Sequence, residues 1–210
     1  MAVVLASFFL SPDKDILTLI ASLTGAFALI FVAKGYVFGQ LLTLLFAIFY
    51  GIVSLKFRYY GEMITYLGMS APMAVFSIIS WLKNPYGNTK VVKVADLSVK
   101  AVGVMSVITV FVTAGFGVIL VLLDTPNIVF SIISVTTSFV AAYLTFLRSP
   151  YYAVAYAAND VVLIVLWVLA SIEEPSYIPM IACFVIFLFN DIYGFINWRR
   201  LKEGQKGVEN

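Results

Sequence analysis

Residues 151–200 read YYAVAYAANDVVLIVLWVLASIEEPSYIPMIACFVIFLFNDIYGFINWRR. Two apolar runs, 151–172 and 177–198, are parted by the break Glu173-Glu174-Pro175-Ser176. A helix needs about 20 mostly apolar residues to cross about 30 Å of hydrocarbon, and both runs meet that length. Neither alternates with period two, so a β-barrel is excluded and the spanning helix remains. Inside these runs sit two acidic residues, each preceded by an amide: Asn159-Asp160 and Asn190-Asp191.

Outward from this pair the rest of the chain repeats the pattern. Five further stretches qualify as spans, at 16–33, 40–55, 63–82, 101–123 and 128–147. The whole chain of 210 residues is 62% hydrophobic and 11% charged, with mean hydropathy +1.04. A soluble domain averages about 45–50% apolar and about 25% charged, so this is an all-α integral membrane protein. The net charge of +2, without a basic stripe, excludes nucleic acid as a partner. There is no histidine, which removes the usual general base and the commonest metal ligand. The lone Cys183 reads as a small buried hydrophobe.

Residues 1–15 form an N-terminal segment whose apolar start, 1–10, is too short to span and is expected to be interfacial. Seven spans put the termini on opposite sides. Lys14, Lys56 and Arg58 fall with the N-terminus; ten other Lys and Arg, from Lys34 to Lys206, fall with the C-terminus. The positive-inside rule therefore puts the N-terminus outside a plasma membrane and the C-terminus in the cytoplasm. The polar loop 83–100 and the tail 199–210 are then cytoplasmic.

An internal repeat is visible. Span three ends Ile79-Ser80-Trp81-Leu82-Lys83 and span seven ends Ile196-Asn197-Trp198-Arg199. Ser22-Leu23-Thr24 in span one is matched by Ser134-Val135-Thr136 in span five, an offset of 112. The expected architecture is 3+1+3: a first three-helix repeat (16–82), a linker helix (101–123) and a second repeat (128–198). With an odd linker the repeats run parallel, as in a class of transporters.

Ionisable residues within spans are costly and mark function. Asn159 lies eight residues into span six and Asn190 eight from the end of span seven, both about 12 Å from the cytoplasmic boundary. Amide and carboxylate together can bind hydroxyls, amides or a cation. Three roles compete for Asn159, Asp160, Asn190 and Asp191: locking the two helices together, relaying protons, or binding a polar solute. At the same level span three carries Met73 and Ala74, so the polar site is one-sided. Tyr152 and Tyr156 share a helix face with Asn159; Trp167 and Tyr193 are further stacking candidates, and Thr137 offers a mid-membrane hydroxyl. Trp81 and Trp198, beside basic residues at span ends, read as interfacial anchors. Hydroxyls such as Thr24, Thr136 and Thr137 usually bond the backbone. Pro72 removes a helical hydrogen bond and permits a kink.

The 3+1+3 pattern, with Asn190-Asp191-Ile-Tyr-Gly194-Phe-Ile-Asn-Trp198-Arg-Arg closing the last helix, resembles the PnuC family of bacterial vitamin transporters. The resemblance spans about residues 16–202. It implies a full-length relative of the SWEET sugar transporters that carries nicotinamide riboside for NAD biosynthesis by facilitated diffusion. A cytoplasmic kinase would trap the solute by phosphorylation; no cofactor and no enzyme activity are implied. Assembly into a homo-oligomer stays open. One departure stands out: where such transporters show Trp-x-x-Trp-x-x-x-Asn, this chain reads Tyr152, Ala155 and Asn159. One stacking wall is lost or supplied from elsewhere. A relative carrying thiamine, riboflavin or a (deoxy)nucleoside therefore stays open, as does a substrate-binding subunit of an energy-coupling vitamin importer.

Overall fold

A computed structural model describes residues 16–56, 60–173 and 178–209. Among the described residues seven helices follow one another: α1 (Ile16–Ala33), α2 (Val37–Lys56), α3 (Tyr60–Leu82), α4 (Val99–Leu122), α5 (Ile128–Phe146), α6 (Tyr151–Glu173) and α7 (Ile178–Glu209). Helices α2 to α6 each contain a stretch long and apolar enough to cross a bilayer, and α1 adds the shorter apolar segment Leu19–Ala33. The interfacial segment expected at 1–15 lies outside the described residues, as does Arg58. The cytoplasmic tail expected at 199–210 is no separate element, because α7 continues as helix past Trp198 to Glu209.

Each helix packs on few neighbours. α1 packs on α2, α2 on α3, α3 on α5, α5 on α6, α6 on α7, and α7 returns to α1, closing a ring. Helix α4 lies outside that ring, against α5 and the first turns of α3. Its outer face carries Val110, Phe111, Val118 and Leu122, all at least 60% exposed, which only lipid can solvate without cost. Ser98 starts this helix: its backbone is extended and its hydroxyl accepts from Ala101 N at 3.1 Å, satisfying one of the donors a helix start leaves free.

Helix α3 is not uniform. Residues Tyr66–Ser70 form a π-helical turn between α-helical Tyr60–Thr65 and Ala71–Leu82, and Ala71 N donates to Tyr66 O five residues back. Pro72 explains it. A proline ring crowds the carbonyl four residues earlier and offers no N–H, so the helix widens by one residue. The sequence predicts a kink here; the structure makes a bulge, which rotates Tyr66 and everything before it relative to the rest of the helix.

The turns α1–α2 and α5–α6 are the same object. Gly35 and Arg148, 113 positions apart, both adopt left-handed backbone, with φ +74° and φ +58°. Gly35 N donates to Val32 O at 2.9 Å and Arg148 N to Thr145 O at 2.9 Å. Tyr36 N to Phe31 O and Ser149 N to Leu144 O follow, at 3.0 Å each. The loop then serves both turns, with Val92 N donating to Gly35 O and Ala95 N to Arg148 O.

The ends of α3 and α7 mirror this. Trp81 Nε1 donates to Thr145 O and Trp198 Nε1 to Val32 O, both at 2.9 Å, so one indole ties α3 to α5 and the other ties α7 to α1. Ser80 Oγ reaches Phe146 O at 2.8 Å while Asn197 Nδ2 reaches Ala33 O at 2.9 Å. The two indoles pack together, ring centroids 5.3 Å apart, and both are 0% exposed. Expected as interfacial anchors, Trp81 and Trp198 are instead the buried knot of the bundle. Gln205 finishes the assembly: its amide accepts from Val94 N at 2.8 Å and donates to Val92 O at 3.0 Å, clasping α7 to the loop.

Candidate functional site

Most of the candidate residues lie on the facing sides of α5, α6 and α7. Helix α6 turns Tyr152 and, two turns on, Asn159 and Asp160 inward, and α7 turns Asp191, Gly194 and Trp198 inward, the last three at the spacing of three and four that keeps side chains on one helix face. Gly194 sets how close α7 comes. A methyl group there would meet Tyr152 Oη at 3.0 Å, Ala33 Cβ at 3.6 Å and Ala153 Cβ at 3.7 Å. Three helices therefore touch at one residue, and the absence of a side chain is what allows it.

Asn159 is the best-held polar group. Its Oδ1 accepts from Thr137 Oγ1 at 2.8 Å and Ser134 Oγ at 3.2 Å. Both hydroxyls belong to α5, and Thr137 shares its single proton between Asn159 and Ile133 O, the latter at 2.9 Å. The carbonyl is thus fixed, which leaves the amide nitrogen to donate elsewhere. One residue on, the carboxyls of Asp160 and Asp191 meet across the α6–α7 contact, and Asp191 also contacts the Asn190 side chain. Both aspartates are buried. Asp160 Oδ2 is enclosed and has no hydrogen-bond partner among the described residues. A buried acceptor left open in a membrane interior is a place where a solute hydroxyl or cation gains most.

Tyr156 bridges this group to Thr145 and lies within electrostatic reach of both aspartates. Tyr152 lies a turn nearer the Trp knot, 2% exposed, with its ring 4.9 Å from that of Trp198. It is a packing residue that carries Tyr156 edge-on at 6.2 Å. Asn190 is half-buried beside Asp191. Trp167 sits two turns further along α6, half-buried, its carbonyl accepting from Ser171 at 2.7 Å. Tyr193 does not join the group. It is 48% exposed on the outer face of α7, about 200° around the helix from Asp191.

Several residues here escape the sequence reading. Phe46 and Tyr50 of α2 and Tyr66 of the π turn form an aromatic cluster with centroids 4.5–5.7 Å apart. Tyr66 lies within electrostatic reach of Tyr156, Asp160, Cys183 and Glu62, so this cluster faces the polar group from the other side of the ring. By the register of the two turns Phe46 occupies in α2 the place Asn159 has in α6, 113 positions earlier. The same register pairs Thr24 with Thr137, each bonded to the carbonyl four residues before, rather than Thr24 with Thr136. The available signal was Pro72, since a proline within a span marks a local rotation of the residues before it. Amide, carboxylates and the Tyr156 phenol thus stand together on α6 and α7, with the aromatic rings of α2 and α3 within electrostatic reach through Tyr66.

Residues 15–200 match the family model described as nicotinamide mononucleotide transporter. The chain is 27% identical over 205 residues, 95% of its length, to the nicotinamide riboside transporter PnuC of Neisseria mucosa, of which it covers 78%. Its structure is similar to a crystal structure of the vitamin B3 transporter PnuC, with TM-score 0.80 and 27% identity, covering 97% of this chain and 88% of that one.

Proposed function

The chain belongs to the nicotinamide mononucleotide transporter family, and on that premise we propose that it carries nicotinamide riboside across the membrane by facilitated diffusion. Its multi-pass membrane character agrees with that role. The observation that carries the reading is Asn159 Oδ1 held by Thr137 and Ser134, one residue from a buried carboxylate oxygen without a partner. Nicotinamide riboside joins a cationic ring to a hydroxyl-rich sugar. The open Asp160 oxygen suits either charge or hydroxyl, and Tyr156 and Tyr66 give π faces for the ring.

Access alternates by rocking of two parallel triplets, α1–α3 and α5–α7, joined by the linker α4. The matched turns at Gly35 and Arg148 and the exchanged indole bonds support this arrangement. The N-terminus faces outward and the C-terminus the cytoplasm, where a kinase phosphorylates the solute and keeps it from leaving. Nothing in this scheme needs an energised pump. Assembly into a homo-oligomer is compatible with it.

A second solute has one observation in its favour. Ala155 stands where nicotinamide riboside transporters of this kind show a second tryptophan, and the Phe46–Tyr50–Tyr66 cluster faces the site from α2 and α3 instead. A different ring, as in thiamine, riboflavin or a nucleoside, would use such a relocated wall. Calorimetric titration of the purified protein with all four solutes decides between them. Tightest binding of nicotinamide riboside supports the first reading; tighter binding of another replaces it. Uptake into liposomes by this chain alone should equilibrate and ignore an imposed pH gradient. Accumulation driven by that gradient would overturn facilitated diffusion.

A further inference from the structure

Two depressions on the outside of the bundle meet at Phe31 and Phe38. One, about 460 Å³, lies at the end where the Trp knot sits and takes in Tyr36, Leu82, Pro85 and Lys90. The other, about 450 Å³, follows the α1–α2 seam past Leu42, Phe27, Leu23 and Ile20. From Phe31 to Ile20 is eleven helical residues, about 16 Å at 1.5 Å each, close to half of a 30 Å hydrocarbon layer. That is the reach of one acyl chain in one leaflet. The seam's lining is apolar apart from Thr24, whose hydroxyl is already bonded to Ile20 O at 2.7 Å.

The charge at the open end completes the pattern. Lys202 and Lys206 share Asp96, and Arg199 meets Glu203. Lys90 lines the depression, Lys83 follows its Leu82 and Lys34 precedes its Tyr36. All three are exposed and pair with no carboxylate among the described residues. Cations held at a membrane surface above an apolar seam match a phosphate carried above an acyl tail.

We propose that the joined depressions bind one anionic glycerophospholipid, its acyl chain along the α1–α2 seam and its phosphate at Lys90. The seam accepts any fatty tail; the lysine selects the headgroup. Such a lipid touches Phe31, Tyr36 and Phe38, the residues that lead into and out of the α1–α2 turn, and so braces that turn.

The full chain in detergent, titrated with phosphatidylglycerol and with phosphatidylcholine of the same acyl composition, tests this by native mass spectrometry. One phosphatidylglycerol should be retained about fivefold more than phosphatidylcholine, the effect of one lysine at an anionic surface. Lys90→Glu should abolish that preference while leaving phosphatidylcholine retention unchanged. Leu23→Trp, which fills the seam, should lower retention of both. Equal retention of the two lipids by the wild type, or a preference that survives Lys90→Glu, overturns the proposal. A dimer that forms without lipid and excludes it overturns it too, since a second copy would then own the seam. Circular dichroism verifies that each variant is folded, and if Leu23→Trp is not, the Lys90→Glu comparison decides alone.

Discussion

Helices α1–α3 and α5–α7 agree at one end and part company in the middle. At the Trp knot the hydrogen bonds of one group recur in the other almost atom for atom, though Gly35 faces Arg148 and Ser80 faces Asn197. Deeper in, the register of the turns puts Phe46 where Asn159 stands, and the register of the two indoles, 117 positions, sets Met73 and Ala74 against Asn190 and Asp191. Backbone bonds keep the frame and accept many side chains, because a carbonyl asks only for a donor. A solute site instead needs particular groups at particular points. These two sets of helices are alike in the bonds at the Trp knot and unlike at the level of Asn159.

The strongest way to break that comparison is at the knot. Trp81→Ala and Trp198→Ala should each cost about 3–5 kcal/mol, from the cavity a large buried ring leaves behind. The two losses should be similar, because each indole donates one bond to another helix and packs on the other indole. Thermal unfolding in detergent checks this, and a large loss at only one tryptophan would show the frame to be lopsided.

The site gives the opposite expectation. Asn159→Ala should weaken solute binding at least about tenfold, as loss of a buried partner is worth about 1–3 kcal/mol. Its stability cost should be small, since Thr137 keeps its bond to Ile133 O. Asn190→Ala, at a half-buried amide, should lose less affinity. Titration calorimetry reads both, and unchanged affinity in both variants rejects the site. Between frame and site stands Gly194→Ala, expected to cost about 1–3 kcal/mol through overpacking against Tyr152 Oη. Tyr152→Phe in the same chain should recover part of the loss of melting temperature, and no recovery would place the strain elsewhere.

The smallest effect belongs to the surface. Hydrogen bonds from Lys202 and then Lys206 hold the Asp96 carboxyl below its ordinary range. A carboxyl lowered on folding stabilises the fold above its ordinary pKa, and that contribution disappears as pH falls through the lowered value. Being exposed, the pair is screened by water and salt. Asp96→Asn should therefore lower the melting temperature slightly at neutral pH and not at all in strong acid. An equal difference at both would sever the effect from charge.

Much of this was readable beforehand, for a physical reason. Hydrophobic length needs no partner to be recognised, so all seven helices can be found, and Asn159, Asp160 and Asp191 stand out because polarity in a span is rare. Boundaries shift where turns decide them: α2 begins at Val37, directly after the Gly35 turn, rather than at residue 40. Tyr193 could have been set aside from the helical period alone, since it lies two residues from Asp191. Trp81 and Trp198 could not have been read correctly. A tryptophan beside a basic residue looks the same in sequence whether lipid headgroups or another indole await it, and only the meeting of α3 with α7 distinguishes them. The Phe46–Tyr50–Tyr66 cluster depends likewise on contacts between helices and on the π turn before Pro72.

Helix α7 runs unbroken from the depth of Asp191 to Glu209. From Gly194 to its last residue is a rigid rod of about 22 Å, for which a tilt of only 10° carries the tip about 4 Å. Gln205 rides on that rod with both amide atoms fastened to residues 92 and 94. A tilt of α7 is therefore transmitted as traction on the loop, and the loop in turn restrains the tilt of the helix that carries Asp191.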